Sequence, residues 1–309
     1  MLRRGGGAAA LLAAGLLLSC ATVQTDEEPF QLSPACKAMA LGDMDRAAQL
    51  VKEGESVDAG SGCALPIAAV RGDLALVTNL LDRGANPNRR HASPEGAATL
   101  GETPLKAAVA SHKLEMVRLL LDRGARPRDD IDALRSAIAL SDAESVELLL
   151  RRGANANMKS PVGKVFVFRN NGSFEVPPRD LEPDRIDETA RNLQCRISYI
   201  SEGASVLYLA ARGKKGGPGP DNHARIVKLL LGHGADPNAR TLNGATPLMM
   251  AASQHQNDIM IALIDAGANV DAADRCGRTA MDYVDLDPDH PLPRQAEWTK
   301  ALLEQHRRK

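Results

Sequence analysis

A chain of 309 residues with a formal net charge of −1 has room for one large domain or an extended array. Its balanced charge argues against nucleic-acid binding, which would need a clustered basic face. With four Phe, three Tyr and one Trp, the core must be assembled from Leu, Ala, Ile and Val, which favours small, closely packed helices.

The first residues read as an export signal. Arg3 and Arg4 precede an apolar run from Gly5 to Leu18, too short to span a bilayer, which takes about 20 residues, but suited to the apolar region of a secretory signal. Leu17 to Cys20, "LLSC", resembles the lipobox of bacterial lipoproteins, although Leu18 is atypical at its place in that box. The resemblance implies that residues 1–19 are a signal peptide and that Cys20 is lipidated, leaving a protein held to the cell envelope by its lipid alone. Ala21, where aspartate would suggest retention at the inner membrane, points to the outer membrane, facing the periplasm. An ordinary cleaved signal beside a coincidental cysteine is the alternative. Residues 20–34 have the polarity and prolines of a tether.

A single phrase then recurs: "LVTNLLDRGANPN" (76–88), "MVRLLLDRGARPR" (116–128), "SVELLLRRGANAN" (145–157), "IVKLLLGHGADPN" (226–238) and "IMIALIDAGANVD" (259–271), preceded by a degenerate copy at 46–58. Each has the apolar spacing of a helix with one broad buried face and ends at a glycine, which accepts the left-handed conformation that closes a helix. A shorter helix comes before, as in "TPLKAAVAS" (103–111) and "TPLMMAASQ" (246–254). Threonine caps it, proline occupies its first turn without losing a hydrogen bond, and paired alanines admit a close neighbour.

This pattern resembles the ankyrin repeat, a β-turn finger followed by two antiparallel helices. The resemblance runs from about Ser33 to Val284, insertions apart, and implies an all-α solenoid of about six helix pairs stabilised by stacking. Lys106 and Met249 stand where the family has a histidine after Thr-Pro-Leu. The expected organisation is repeats 1–4 over 35–157, an insertion over 158–203, repeats 5–6 and a final finger over 204–290, and a capping helix over 291–309. In that cap Trp298, Ala301, Leu302 and Leu303 are expected to lie on the last repeat, Trp298 as core filling.

The glycines opening the "GA" phrases are spaced 30, 40, 29, 81 and 33 residues apart, against a family period of about 33. The overlong intervals hold an enlarged finger (89–101), the insertion, and a glycine- and proline-rich loop at 214–222. Inside the insertion "GKVFVFRNNGSFEV" (163–176) reads as a β-hairpin with an Asn-Gly turn. Val165, Val167, Phe174 and Val176 fall on one face, and Phe166, Phe168, Ser173 and Glu175 on the other. Three of the four Phe sit here, as expected of a binding surface; burial by the insertion's own 184–196 segment is the competing reading.

No catalytic signature appears: there is no H-E-x-x-H, C-x-x-C or G-x-S-x-G, and neither Gly163-Lys164 nor Gly213-Lys214 has the upstream glycine of a P-loop. The seven histidines are scattered, without metal-ligand spacing, so no metal, cofactor or small-molecule substrate is expected. With Cys20 lipidated, Cys36, Cys63, Cys195 and Cys276 allow three pairings among which sequence does not choose. Cys36 and Cys63 fall on first helices of adjacent repeats, while Cys195 and Cys276 would meet if the insertion folded along the groove.

The family resemblance implies a non-enzymatic scaffold whose fingers and first helices bind another protein. Carried onto this chain, the exposed places are Arg71, Glu102, Arg212, Asn243, Ser253, Gln254, Arg275 and Arg278, joined by Phe166, Phe168 and Arg169 of the hairpin. Two alternatives remain. One is an immunity or inhibitor protein that occludes a secreted toxin; the other is a small hydrolase housed in the insertion around Asp184, Asp187, Glu188 and Tyr199.

Overall fold

The computed structural model describes residues 33–54, 64–90, 103–159, 203–213, 222–285 and 293–307, with the backbone of two strands at 165–169 and 172–176. The signal segment with Cys20, most of the tether, Glu102, Cys63, Cys195, the bulk of the insertion and the 214–221 loop lie outside the described residues. Two compact units are present: residues up to Leu140 with Arg151–Ala154, and Ser141–Leu150 with Asn155 onward. No helix among the described residues is long and apolar enough to cross a membrane.

In the N-terminal unit, α1 (Pro34–Leu41), α3 (Ala64–Arg71), α5 (Pro104–Ala110) and α7 (Ile131–Ala139) are first helices packed in series, and α2 (Met44–Lys52), α4 (Leu74–Asp82) and α6 (Leu114–Asp122) are second helices. Alanines at the seam, Ala68, Ala69, Ala107 and Ala108, are fully buried, so the backbones approach as closely as the paired alanines of the sequence suggested. Val77, Leu80, Val117 and Leu120 from the repeated phrase fill the space between layers.

In the C-terminal unit, which holds nearly all of α8 (Ala143–Arg151), the first helices α9 (Val206–Ala211), α11 (Pro247–Ser253) and α13 (Ala280–Tyr283) pack in series, and α10 (His223–Gly232) packs on α12 (Asn257–Asp265). A final helix, α14 (Pro293–Arg307), packs on α13. The segment expected as an added cap thus takes the place of a second helix, and α13 with α14 forms a pair beyond the six expected. Thr299, Leu302 and Leu303 turn inward, and the Thr299 hydroxyl donates to Asn257 Oδ1 at 3.0 Å. Trp298 is 51% exposed and Ala301 is exposed, contrary to expectation. The helix phase explains both, because Thr299, Leu302, Leu303 and His306 occupy the i, i+3, i+4, i+7 stripe and Trp298 falls one residue off it.

The recurring phrase encodes more than a helix. Gly54, Gly84, Gly124, Gly153, Gly234 and Gly267 all have φ between 82° and 103°. The next residue's N–H reaches back over the helix end, as in Ala85 to the Leu80 carbonyl at 3.0 Å and Ala235 to the Leu230 carbonyl at 3.0 Å, closing a Schellman motif. The two polar residues that follow divide the labour. Asn86, Asn155, Asp236 and Asn269 each accept from the N–H two residues on, at 2.8–2.9 Å, which fixes the turn. Asn88, Asn157 and Asn238 reach the next repeat, with Nδ2 donating to the carbonyls of Gly124, Gly234 and Gly267 and Oδ1 accepting from the N–H groups of Arg126, Asp236 and Asn269. Each is a two-bond staple. Asn238→Ala is expected to cost about 1–2 kcal/mol for two lost hydrogen bonds, read as a lower urea midpoint, with Asn157→Ala giving a matching loss.

The first-helix caps form as expected. The Thr103 and Thr246 hydroxyls accept from the N–H groups of Lys106 and Met249 at 3.0 and 3.4 Å. Where the family histidine is replaced, the buried Met249 sulfur accepts from the Thr246 N–H at 3.3 Å. Asp130 takes the threonine place before α7. It is buried, caps Ala133 N–H at 3.1 Å and accepts from the Thr103 hydroxyl. Burial raises its carboxyl above the ordinary 3.8, outweighing the Thr103 and Ala133 bonds. A raised folded value makes this site stabilising below 3.8, with that stability lost as pH rises through the folded value. Asp130→Asn, which keeps an acceptor without the charge, is therefore expected to raise the thermal midpoint at pH 7, and the gain over wild type should shrink on acidification.

The strands β1 (Val165–Arg169) and β2 (Gly172–Val176) pair antiparallel, with Val165 opposite Val176, Phe166 opposite Glu175, Val167 opposite Phe174, Phe168 opposite Ser173 and Arg169 opposite Gly172. The hairpin forms as expected. Its register leaves residues 170–171 as the connection, so Gly172 starts β2 instead of completing an Asn-Gly turn. At the foot of the insertion Lys159 bridges Ser205, and the Val206 N–H donates to the Met158 carbonyl at 3.0 Å. The chain leaves and re-enters the repeat at one point.

Candidate protein-binding face

Two fingers of the C-terminal unit, 238–246 and 271–279, are built on the same plan. In the first, the Thr241 N–H donates to the Ala245 carbonyl and the Gly244 N–H to the Thr241 carbonyl, both at 3.0 Å. In the second, the Asp274 N–H donates to the Arg278 carbonyl at 2.8 Å and the Gly277 N–H to the Asp274 carbonyl at 3.1 Å. Inside the first turn the Thr241 hydroxyl donates to Asn243 Oδ1.

In the second turn one carboxylate replaces that pair. Asp274, whose side chain is fully buried, accepts at Oδ1 from the N–H groups of Cys276 and Arg278 at 2.8 and 2.9 Å, and at Oδ2 from Arg278 Nε and the Tyr283 hydroxyl, both at 2.9 Å. The Arg278 guanidinium stands 5.2 Å from the Tyr283 ring centroid, a cation–π distance. Burial and the neighbouring Asp274 charge push the Tyr283 hydroxyl well above its ordinary value, so it stays a donor. Asp282 caps α13, and the N–H and hydroxyl of Thr279 donating to it hold its carboxyl below the ordinary range.

The tips meet at Gly244. The Arg275 N–H donates to the Asn243 carbonyl at 3.0 Å, and a Cβ on Gly244, whose φ is +83°, would fall 3.1 Å from the Arg275 nitrogen. Only glycine lets the fingers close this far. Arg240 reaches across the joint, with one guanidinium nitrogen donating to the carbonyls of Gly244 and Ala273 at 3.2 and 2.7 Å. Cys276, beside Arg275, is disulfide-bonded, as is Cys36 in α1.

The expected binding residues separate on this geometry. Arg212, capping α9, and Arg275 are exposed. Asn243, Ser253 and Gln254 are buried, at 3%, 0% and 6% exposure, and do not present side chains to a partner. Asn243 is consumed by the finger turn, the Ser253 hydroxyl donates to the Met250 carbonyl at 2.9 Å, and Gln254 Nε2 donates to the Ser253 carbonyl at 3.3 Å. Arg278 is taken up by Asp274. Arg71 is half-buried, its guanidinium 3.7 Å from where a Cβ on Gly42 would stand, so it folds back over the preceding turn. Glu102 and the side chains of Phe166, Phe168 and Arg169 lie outside the described residues. Arg240 escaped the sequence reading. It follows a staple asparagine by two residues, as Arg90 and Lys159 do, and that cationic column was its signal.

No group of three or more His, Cys, Asp and Glu side chains converges to hold a metal among the described residues. A buried Ser141 Oγ lies 3.1 Å from His223 Nδ1, and the Asn222 amide donates to the Ser141 carbonyl at 3.0 Å. That contact ties the start of α10 to the turn before α8.

A family model for ankyrin repeats (3 copies) matches residues 65–160 and 207–284, more than half of the chain. The chain is an ankyrin-repeat protein. Its structure is similar to the crystal structure of the human ASB11 ankyrin repeat domain, with a TM-score of 0.55 at 22% identity, covering 87% of this chain and 98% of that one. That likeness shows the shared fold. Among sequences, it is 44% identical over 61 residues to protein fem-1 homolog A of Bos taurus, 20% of this chain and 9% of the relative. It is 39% identical over 67 residues to a putative ankyrin repeat-containing protein of Treponema pallidum, 22% of each chain. The chain thus spans a small fraction of the length of these relatives.

Proposed function

We propose that this ankyrin-repeat protein is a non-catalytic scaffold that binds another protein through its fingers, held by a lipid on Cys20 to the outer membrane of a bacterial envelope and facing the periplasm. The observation that carries the reading is the pair of fused fingertips, rigid in backbone and exposed at Arg240 and Arg275. A finger backbone and an Arg240 side chain fixed before binding lose little entropy on contact, which is what a recognition surface needs. Disulfide-bonded Cys36 and Cys276 support an oxidising compartment, where such bonds persist, and agree with the export signal read from residues 1–19.

Two measurements test this. Mass spectrometry of the N-terminal peptide should find a diacylglyceryl-modified Cys20, with Cys20→Ala released from membranes; an unmodified chain starting elsewhere removes the anchor. Cross-linking capture from envelope fractions should recover a protein with the wild-type chain and not with one lacking residues 238–285. Identical recovery by both removes the fingers from binding.

A further inference from the structure

The chemistry of the joined fingertips goes beyond protein binding in general. We infer that Arg240 and Arg275 form a fork that grips a carboxylate-rich segment of the partner, an inference that rests on the protein-binding reading above. Both residues lie against Gly244, Arg240 through its bond to the Gly244 carbonyl and Arg275 with Cγ 3.4 Å from the position of a Gly244 Cβ. One short stretch of chain crossing that glycine would pass both arginines.

Among the described residues no carboxylate compensates the charges there. Arg278, on the same finger, is neutralised by the buried Asp274, and Arg90, in the column position of Arg240, is paired with Asp132 at 3.1 Å. Among the described residues Arg240 donates to carbonyl oxygens, and neither it nor Arg275 lies within ion-pair distance of a carboxylate. The polar atoms that could have quenched these cations, those of Asp274, Thr241 and Asn243, are turned inward to hold the turns.

The scaffold also fixes the fork in place. The Arg275 backbone is pinned by its own N–H on the Asn243 carbonyl and by the disulfide at the adjoining Cys276, and the Arg240 guanidinium is held by the Gly244 and Ala273 carbonyls. A planar guanidinium held in place suits the two oxygens of a carboxylate. Exposed Asp282 on α13 and Asp271 on the same finger, the latter paired with Arg307 at 2.6 Å, together with the chain's net charge of −1, favour a narrow acidic strand over a broad anionic bilayer, which would meet both signs at once.

The test uses the mature full-length chain and a fluorescent peptide of alternating Glu and Ala, followed by anisotropy. Wild type should bind it, weakening steeply with salt, while Arg240→Gln with Arg275→Gln lowers affinity at least tenfold. Lys228→Gln, an exposed cation on α10, should leave it unchanged. Because Arg240 also supports the joint, Arg275→Gln and Arg275→Glu are run alone, the second expected to bind more weakly than the first, with Arg275→Lys retaining part of the affinity. Equal binding by wild type and Arg275→Glu overturns the inference, as does binding of phosphatidylglycerol vesicles without binding of the peptide. If cross-linking capture persists in Arg275→Glu while the peptide never binds, the acidic-segment inference fails and the scaffold reading stands. If the wild-type chain captures nothing, the scaffold reading itself falls.

Discussion

Asp274→Ala is expected to cost about 3–5 kcal/mol, because it strips the counter-charge from a mostly buried guanidinium. Four groups lose their acceptor together: the N–H groups of Cys276 and Arg278, the Arg278 side chain and the Tyr283 hydroxyl. Some of these can reach water, but Arg278 has a side-chain exposure of only 18%, and Tyr283 is 1% exposed. Tyr283→Phe removes a single hydroxyl and is expected to cost about 1 kcal/mol, so the gap between the two variants separates the charge from the hydrogen bond. Urea denaturation with disulfides intact measures both, and hydrogen exchange should locate the Asp274→Ala loss in α11 and α13. A cost of Asp274→Ala no larger than that of Tyr283→Phe would show that the carboxylate does not organise the finger.

Leu230→Ala is expected to cost about 3 kcal/mol, within the range for emptying a fully packed site. Leu230 has no exposed surface and lies on the face of α10 that packs against α9 and α12. Its neighbour Leu231, in the same "LLL" run, is partly exposed, and Leu231→Ala is expected to cost less than 1 kcal/mol. The contrast matters because sequence assigns the two leucines the same character. In a stacked array each element contacts only its neighbours, so the damage should stay local. Exchange protection should fall in α9, α10 and α12 and remain in the N-terminal unit; equal losses for both variants would mean that the helix phase is wrong.

Sequence conveyed the fold well where one physical requirement repeats. The closing glycine, the Thr-Pro start and the paired alanines each report a local demand, and all reappear where expected. Trp298 failed because a single aromatic in a short amphipathic stretch has two adjacent stripes to choose from, and Thr299 won the inner one, where its hydroxyl lies within hydrogen-bond distance of Asn257 Oδ1 and the Gln295 carbonyl. The binding residues were harder to place. Asn243, Ser253 and Gln254 occupy positions that are exposed in the family pattern, yet their short polar groups are absorbed by turn and helix-end hydrogen bonds. Arg278 looked like a free cation until Asp274, four residues earlier, proved to hold it. The cation two residues after each staple asparagine marks Arg240 in the sequence, but its bonds to backbone carbonyls of another finger are not legible there.

The bridge between Lys159 and Ser205 has an evolutionary corollary. A doorway whose two jambs are already fastened together does not register what is kept in the room behind it, and the entropy of closing a loop grows only slowly with its length. Cargo at this address can be lengthened, trimmed or exchanged between lineages while the helices on either side keep their spacing. The same doorway gives protein engineers a place to graft a foreign module.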